Sequence, residues 1–166
     1  SDLTVGNIGN IYAATTNGYI LEFNSEGDLL FIFGGFDDGS QRIGLFSTIS
    51  AISVTDDGRL YVLDDTAGQI QTFEPTEFTE NVHTSLYLYQ EGKYLESKEP
   101  WEQVLLMNNL FDYAHKGIAE SYYMEENYAS AMEHFELSND KEGVSKAFTE
   151  LRNAVIRKNI FIILGV

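Results

Sequence analysis

Apolar and polar residues alternate with a period of two through the first half of the chain, in short runs separated by turn residues. Residues 11–14 and 18–23 form one pair of runs, and residues 60–63 and 68–73 form a second pair 49 to 50 positions later. Alternation of this kind predicts short antiparallel strands. The repeat therefore predicts a meander of strands across residues 1–78, with further strands between the two copies.

The second half of the chain repeats with a different period. Five pairs of small or aromatic residues share one spacing of 34 positions: Ser85 and Ala119, Tyr89 and Tyr123, Tyr94 and Tyr128, Ser97 and Ala131, and Trp101 and Phe135. Small residues let paired helices approach closely, while large aromatic residues fill the groove between them. The spacing predicts two helical hairpins. We expect the aromatic members of the last pair to be buried, each against the tyrosine of its own turn.

The boundary between the two periods falls at Pro75, and Thr79 is a candidate helix cap. We predict an α+β fold of two segregated modules, with antiparallel strands over residues 1–78 and antiparallel helices over residues 79–158. Apolar residues at spacings of three and four after the second hairpin predict an amphipathic helix that caps it. Residues 159–166 form a separate apolar tail.

The strand half resembles the NHL repeat family. The resemblance covers roughly residues 8–78 and rests on motifs in the order of that repeat: Phe36 and Phe46, the apolar run 51–54, Asp56-Asp57-Gly58, and the runs 60–62 and 70–73. It implies two antiparallel β-propeller blades. A propeller needs about four to eight blades to close, so two blades form an incomplete ring, and we expect self-association through their uncovered faces. An unrelated small β-sandwich is the alternative.

The helical half resembles TPR proteins, because residues 90–94 and 125–128 lie where that family turns between its two helices. Ser138 and Asn139 depart from the family pattern, which leaves the repeat ends uncertain in register. The resemblance implies a concave partner-binding groove lined by the first helix of each hairpin. The groove residues would be Tyr113, Lys116, Glu120, Tyr123, Leu86 and Tyr89. Packing between hairpins is the alternative role for Tyr89 and Tyr123.

The junction at residues 73–78 resembles that of bacterial membrane proteins in which NHL and TPR-like repeats precede a Yip-type membrane domain. The chain begins at Ser1 and is expected to be a piece of such a longer protein. Residues 160–166 are an unbroken apolar run, predicted to begin a transmembrane helix that itself needs about 20 residues. A buried strand or the end of the capping helix is the alternative. We expect membrane anchoring on the extracytoplasmic face, although the basic residues before the tail favour the cytoplasmic face.

Charge and residue chemistry argue against several classes of function. The formal net charge of −16 repels phosphate backbones, so nucleic-acid binding is not expected. The chain lacks cysteine, and His83, His115 and His134 form no zinc motif. The pairs Asp56-Asp57 and Asp64-Asp65 could ligate calcium, but turn formation explains them more simply. We predict no enzyme activity, no metal and no cofactor.

Together these patterns predict a non-catalytic protein–protein interaction scaffold or adaptor, in the soluble part of a membrane-associated complex. Its partner would be a protein or a peptide. The alternative is a ligand-sensing propeller that binds a glycan or a metal ion, as an accessory to a carbohydrate importer.

Overall fold

A computed structural model describes residues 2–40 and 42–163, with side chains described through residue 159. The chain divides into two compact units, Ser1–Thr76 and Glu77–Val166. The described part of the first unit contains strands, and that of the second contains helices. The predicted α+β class, with antiparallel strands before helices, is confirmed. The two sheets do not close into a propeller ring.

The first unit is built from two antiparallel sheets. Sheet 1 has the order β1-β2-β3-β4 and sheet 2 the order β5-β6-β7. The strands are β1 (Asp2–Val5), β2 (Ile11–Ala14), β3 (Tyr19–Phe23), β4 (Leu29–Gly34), β5 (Ile49–Val54), β6 (Leu60–Asp64) and β7 (Gln69–Phe73). Gly18 forms the turn between β2 and β3 with a φ of 89°. A Cβ at this glycine would overlap the carbonyl of Gly35, so the turn requires glycine on both counts.

The two sheets pack through one hydrophobic core. Its buried members are Tyr12, Ala14, Ile20, Phe46, Ile49, Ile52, Leu60 and Val62. The free edge of β5 is also bonded to sheet 1, because the backbone N–H of Ile52 donates to Asp2 and that of Val54 donates to the Thr4 hydroxyl. Apolar burial and edge hydrogen bonds therefore join the sheets into one unit.

The acidic pairs of the first unit serve its turns. The buried Asp64 carboxylate accepts backbone N–H bonds from Ser47 at 2.7 Å, Thr48 at 3.2 Å and Ala67 at 3.0 Å. Burial alone would raise the pKa of Asp64, but these donors outweigh it and the pKa is lowered. Asp57 accepts from the Thr55 hydroxyl in the turn before β6. Both carboxylates thus satisfy local donors, in agreement with the turn-forming interpretation.

The second unit comprises five described helices: α1 (Glu77–Gln90), α2 (Tyr94–Met107), α3 (Asp112–Met124), α4 (Tyr128–Leu137) and α5 (Lys141–Ile163). The first begins two residues before the predicted boundary, at Glu77. Successive helices pack against one another. The helix predicted to cap the second hairpin corresponds to α5, which packs against α4.

The turns after α1 and α3 have the same geometry, 34 residues apart. Gly92 and Glu126 both adopt positive φ, at 75° and 61°. In the first turn the N–H of Lys93 donates to the carbonyl of Leu88, and in the second the N–H of Asn127 donates to Tyr122. These bonds close a Schellman motif, which satisfies carbonyls left free at a helix end. Glycine suits this conformation, whereas Glu126 adopts it at a steric cost.

Side chains 34 residues apart also occupy matched places. Ser85 and Ala119 are both 0% exposed, as are Ser97 and Ala131. Trp101 is 1% exposed and Phe135 is 4% exposed. The expected burial of these two aromatic residues is confirmed.

The aromatic ring contacts differ from the prediction. Trp101 lies edge-on to Tyr113 of α3, with ring centroids 5.8 Å apart. The two turn tyrosines instead pair with the last tyrosine of the preceding helix, Tyr94 with Tyr89 and Tyr128 with Tyr123. The physical reason is that the indole is directed toward the following helix, where Gly117 leaves room for it.

The apolar tail falls largely outside the described side chains. The backbone of α5 continues to Ile163, while residues 164–166 lie beyond the described part, so the predicted start of a transmembrane helix at residues 160–166 is not tested there. Among the described residues, no helix combines the length and apolar character that crossing a bilayer requires.

We predict that Gly117→Ala destabilises the helical unit. An alanine normally stabilises a helix by about 1 kcal/mol relative to glycine. Here its methyl group would overlap the Trp101 indole, and overpacking typically costs about 1 to 3 kcal/mol. Urea unfolding should show a loss of stability. In the double variant with Trp101→Phe, the cost should be smaller than the sum of the two single costs, and strict additivity would contradict the contact.

Candidate partner-binding surface

The six predicted groove residues lie on the first helix of each hairpin. Tyr113, Lys116, Glu120 and Tyr123 recur at spacings of three and four and therefore share one face of α3. Leu86 and Tyr89 are three residues apart on α1, which also contacts α3. All six side chains are half-buried. We refer to these six residues as the partner-binding surface.

Two tyrosines of this surface also hold the hairpin turns. The rings of Tyr89 and Tyr94 are 5.2 Å apart at an interplanar angle of 61°, and those of Tyr123 and Tyr128 are 5.4 Å apart at 63°. Edge-to-face pairs of this kind add about 0.5 to 1.5 kcal/mol to the burial of their area. Hairpin packing, the alternative role considered for these tyrosines, is therefore part of what they do.

Tyr113 connects the surface to the core. Its ring contacts the buried Trp101 on one helix and lies 6.3 Å from the ring of Phe111, just before α3. The Lys116 ammonium lies 5.5 Å from the centroid of the same ring, within cation–π range. Tyr113 is thereby fixed in orientation while half of it stays accessible. A fixed, half-exposed aromatic ring is a suitable contact for a partner because little side-chain entropy is lost on binding.

Two lysines at this surface were missed by the sequence analysis. Lys146 of α5 places its ammonium 4.4 Å from the ring centroid of Tyr123. Lys98 of α2 is buried, with its ammonium 2.6 Å from the Glu125 carboxylate and 4.1 Å from the Tyr122 ring. A buried ammonium needs such a partner to offset the loss of water. These pairs join helices distant in sequence, so no spacing rule identifies them.

A histidine pair lies between α3 and α4. Nδ1 of His115 is 3.2 Å from Nδ1 of His134, and the ring of Tyr122 is 5.7 Å from that of His134. One nitrogen must donate and the other accept, so at least one imidazole of the bonded pair is neutral. Burial and the adjacent His115 lower the pKa of His134, and the opposing effects of Glu133 and Glu102 are smaller. The sequence analysis placed these histidines on separate helices but did not foresee their contact.

The described residues contain no group of three or more histidine, aspartate and glutamate side chains that could hold a metal ion. In the first unit, the buried Asn10 amide donates to the Glu22 carboxylate at 2.6 Å and to the Tyr12 hydroxyl at 3.0 Å. Burial and the Glu22 charge raise the pKa of Tyr12. This cluster is enclosed in sheet 1 and presents no surface to a ligand, since all three residues are at most 4% exposed.

No protein-family model matches this sequence, and a search of curated proteins finds no match. The functional argument therefore rests on this chain's own repeats, contacts and charges.

We predict that acidification weakens the helical unit through the histidine pair. The pKa of His134 is lowered from 6.5 in the folded chain, so the unfolded chain binds the proton more tightly. The stability contributed by neutral His134 is complete above pH 6.5 and is lost as the pH falls through the folded pKa. Urea unfolding from about pH 7.5 to about pH 5.5 should show this decline.

The variant His134→Gln should flatten that pH dependence, because glutamine does not titrate. His83→Gln is the matched control, since it makes the same change on α1, away from the pair, and should keep the decline of the unmodified chain. An unchanged decline in His134→Gln would contradict the assignment.

Proposed function

We propose that this chain is a non-catalytic protein–protein interaction scaffold, and that its helical unit holds a protein or peptide partner on the partner-binding surface. The observation that carries the proposal is the internal repetition of the hairpins. Turn geometry, small buried residues and a buried aromatic residue recur at 34 positions. Repeated helical hairpins present a continuous surface along their equivalent helices, and such surfaces bind partners in many repeat proteins.

We further propose that the hairpins are TPR-like and that the two sheets are NHL-like propeller blades. The close approach of helices at Ser85, Ser97, Ala119 and Ala131 supports the first assignment. The recurrence of a strand pair at 49 to 50 positions supports the second. Association with a membrane, on its extracytoplasmic face, belongs to the same proposal and is supported by the apolar sequence at residues 160–166.

The chemistry of the surface restricts the partner. Its tyrosines offer flat, half-buried rings, and Lys116 and Glu120 supply charges of opposite sign one helical turn apart. The net charge of −16 disfavours acidic partners. We therefore propose a neutral or basic segment with an apolar or aromatic anchor for the ring of Tyr113.

We predict that Glu120→Lys weakens partner binding. Peptides selected from a random displayed library against the intact chain provide the probe, and their Kd is measured by calorimetry. Reversal of this charge should raise the Kd by at least about 10-fold, equivalent to about 1.4 kcal/mol. Glu99→Lys is the matched control, because it makes the same charge change at an exposed position of α2 and should leave the Kd unchanged.

Equal losses in the two variants would show that net charge, and not this surface, governs binding. A library that yields no peptide binding the intact chain would contradict the proposal. Circular dichroism of each variant establishes that its helices are retained.

A further inference from the structure

The two copies of the strand repeat bury opposite faces. Ile20 and Ile70 are equivalent in the repeat, yet the first is 0% exposed and the second is 64% exposed. Tyr12 and its equivalent Tyr61 differ in the same direction, at 4% and 37%. The face of sheet 1 that packs into the core is therefore repeated on sheet 2 as an open face.

The converse holds for the other face of each sheet. Leu60 and Val62 of β6 are 3% and 0% exposed in the core. Their equivalents on β2, Ile11 and Ala13, are only half-buried and lie on the outer side of sheet 1. The interface between the sheets thus joins two unlike faces, and the molecule exposes a second example of each.

The outer face of sheet 1, here called face A, is apolar across all four strands. Strand register aligns its residues in two rows on one side of the sheet. The rows are Leu3, Ala13, Leu21 and Ile32, and Val5, Ile11, Phe23 and Leu29. Its edge positions are open, with Leu3 63% and Ile32 58% exposed. A continuous apolar face without a charged residue is characteristic of an interaction surface.

The outer face of sheet 2, here called face B, is its counterpart. It carries Tyr61, Leu63 and Ile70, aligned through the pairing of β6 with β7. Leu63 is 37% exposed. Face B is the repeat equivalent of the sheet 1 surface that already packs against sheet 2.

We infer that face A of one chain packs against face B of a second copy, in head-to-tail association. The internal interface already joins an A-type face, formed by Leu60 and Val62, to a B-type face, formed by Tyr12 and Ile20. A second copy would repeat that packing with equivalent residues. Because the two faces differ, the contact is heterologous and can continue into rings or longer arrays. This inference is independent of partner binding by the helical unit.

Charge acts against the association and provides a check on it. Each copy carries a formal charge of −16, so copies repel one another at low ionic strength. Salt screens that repulsion and strengthens apolar contact. Association through faces A and B should therefore increase with salt concentration, whereas association through ion pairs would decrease.

Sedimentation velocity of the intact chain from about 1 to about 100 µM tests the inference. The unmodified chain should associate as its concentration rises. Ile32→Lys on face A and Ile70→Lys on face B should each give monomers, because each removes one half of the contact. An equimolar mixture of the two variants should form a 1:1 dimer that grows no further, since one intact A face and one intact B face remain.

Leu106→Lys is the control, because it places the same charge at an apolar position of α2 that is 80% exposed, and it should associate like the unmodified chain. A monomer at every concentration would overturn the inference. So would monomers in the mixture of face variants. If Ile70→Lys still dimerised while Ile32→Lys did not, face A would pair with itself, and the head-to-tail arrangement would be wrong. Circular dichroism verifies the fold of each variant.

Discussion

The helical unit depends on a steric constraint, the fit of a large aromatic ring against a residue that has no side chain. Trp101 occupies the space left by Gly117, and Phe135 occupies the space left by Gly143. Neither glycine tolerates a Cβ without movement of the ring. Because protein interiors are densely packed, this fit fixes the distance between consecutive helices and hence the position of their outer faces. The orientation of Tyr113 follows from it, since its ring contacts the Trp101 indole.

Periodicity predicted the elements that are determined locally. Alternating residues identified strands such as β2 and β6, and the 34-residue spacing identified residues that are buried alike, such as Ser97 and Ala131. Contacts between helices were beyond its reach. Lys98 meets Glu125 and His115 meets His134 only after the helices have packed. Helical period gives the direction of a side chain around its own axis, but not the partner that a neighbouring helix brings to it.

The same limit explains the ring contacts and the sheet faces. Sequence spacing gave equivalent positions for the turn tyrosines but could not show that each pairs with a tyrosine of the preceding helix. In the strand repeat, Ile20 and Ile70 are alike in sequence and opposite in burial. That difference depends on which side of each sheet has a neighbour. The proposals about partner binding and self-association thus concern surfaces whose residues are repeated but whose surroundings are not.

The central claim is that positions 34 residues apart in the helical unit are structurally equivalent, and its most direct test moves the chain's single tryptophan. In the double variant Trp101→Phe with Phe135→Trp, tryptophan emission should be blue-shifted and protected from iodide, as in the unmodified chain. Trp101→Phe with Phe148→Trp supplies an exposed reference, because Phe148 is 51% exposed. Emission and quenching of the first variant that match this reference would contradict the equivalence of the two hairpins.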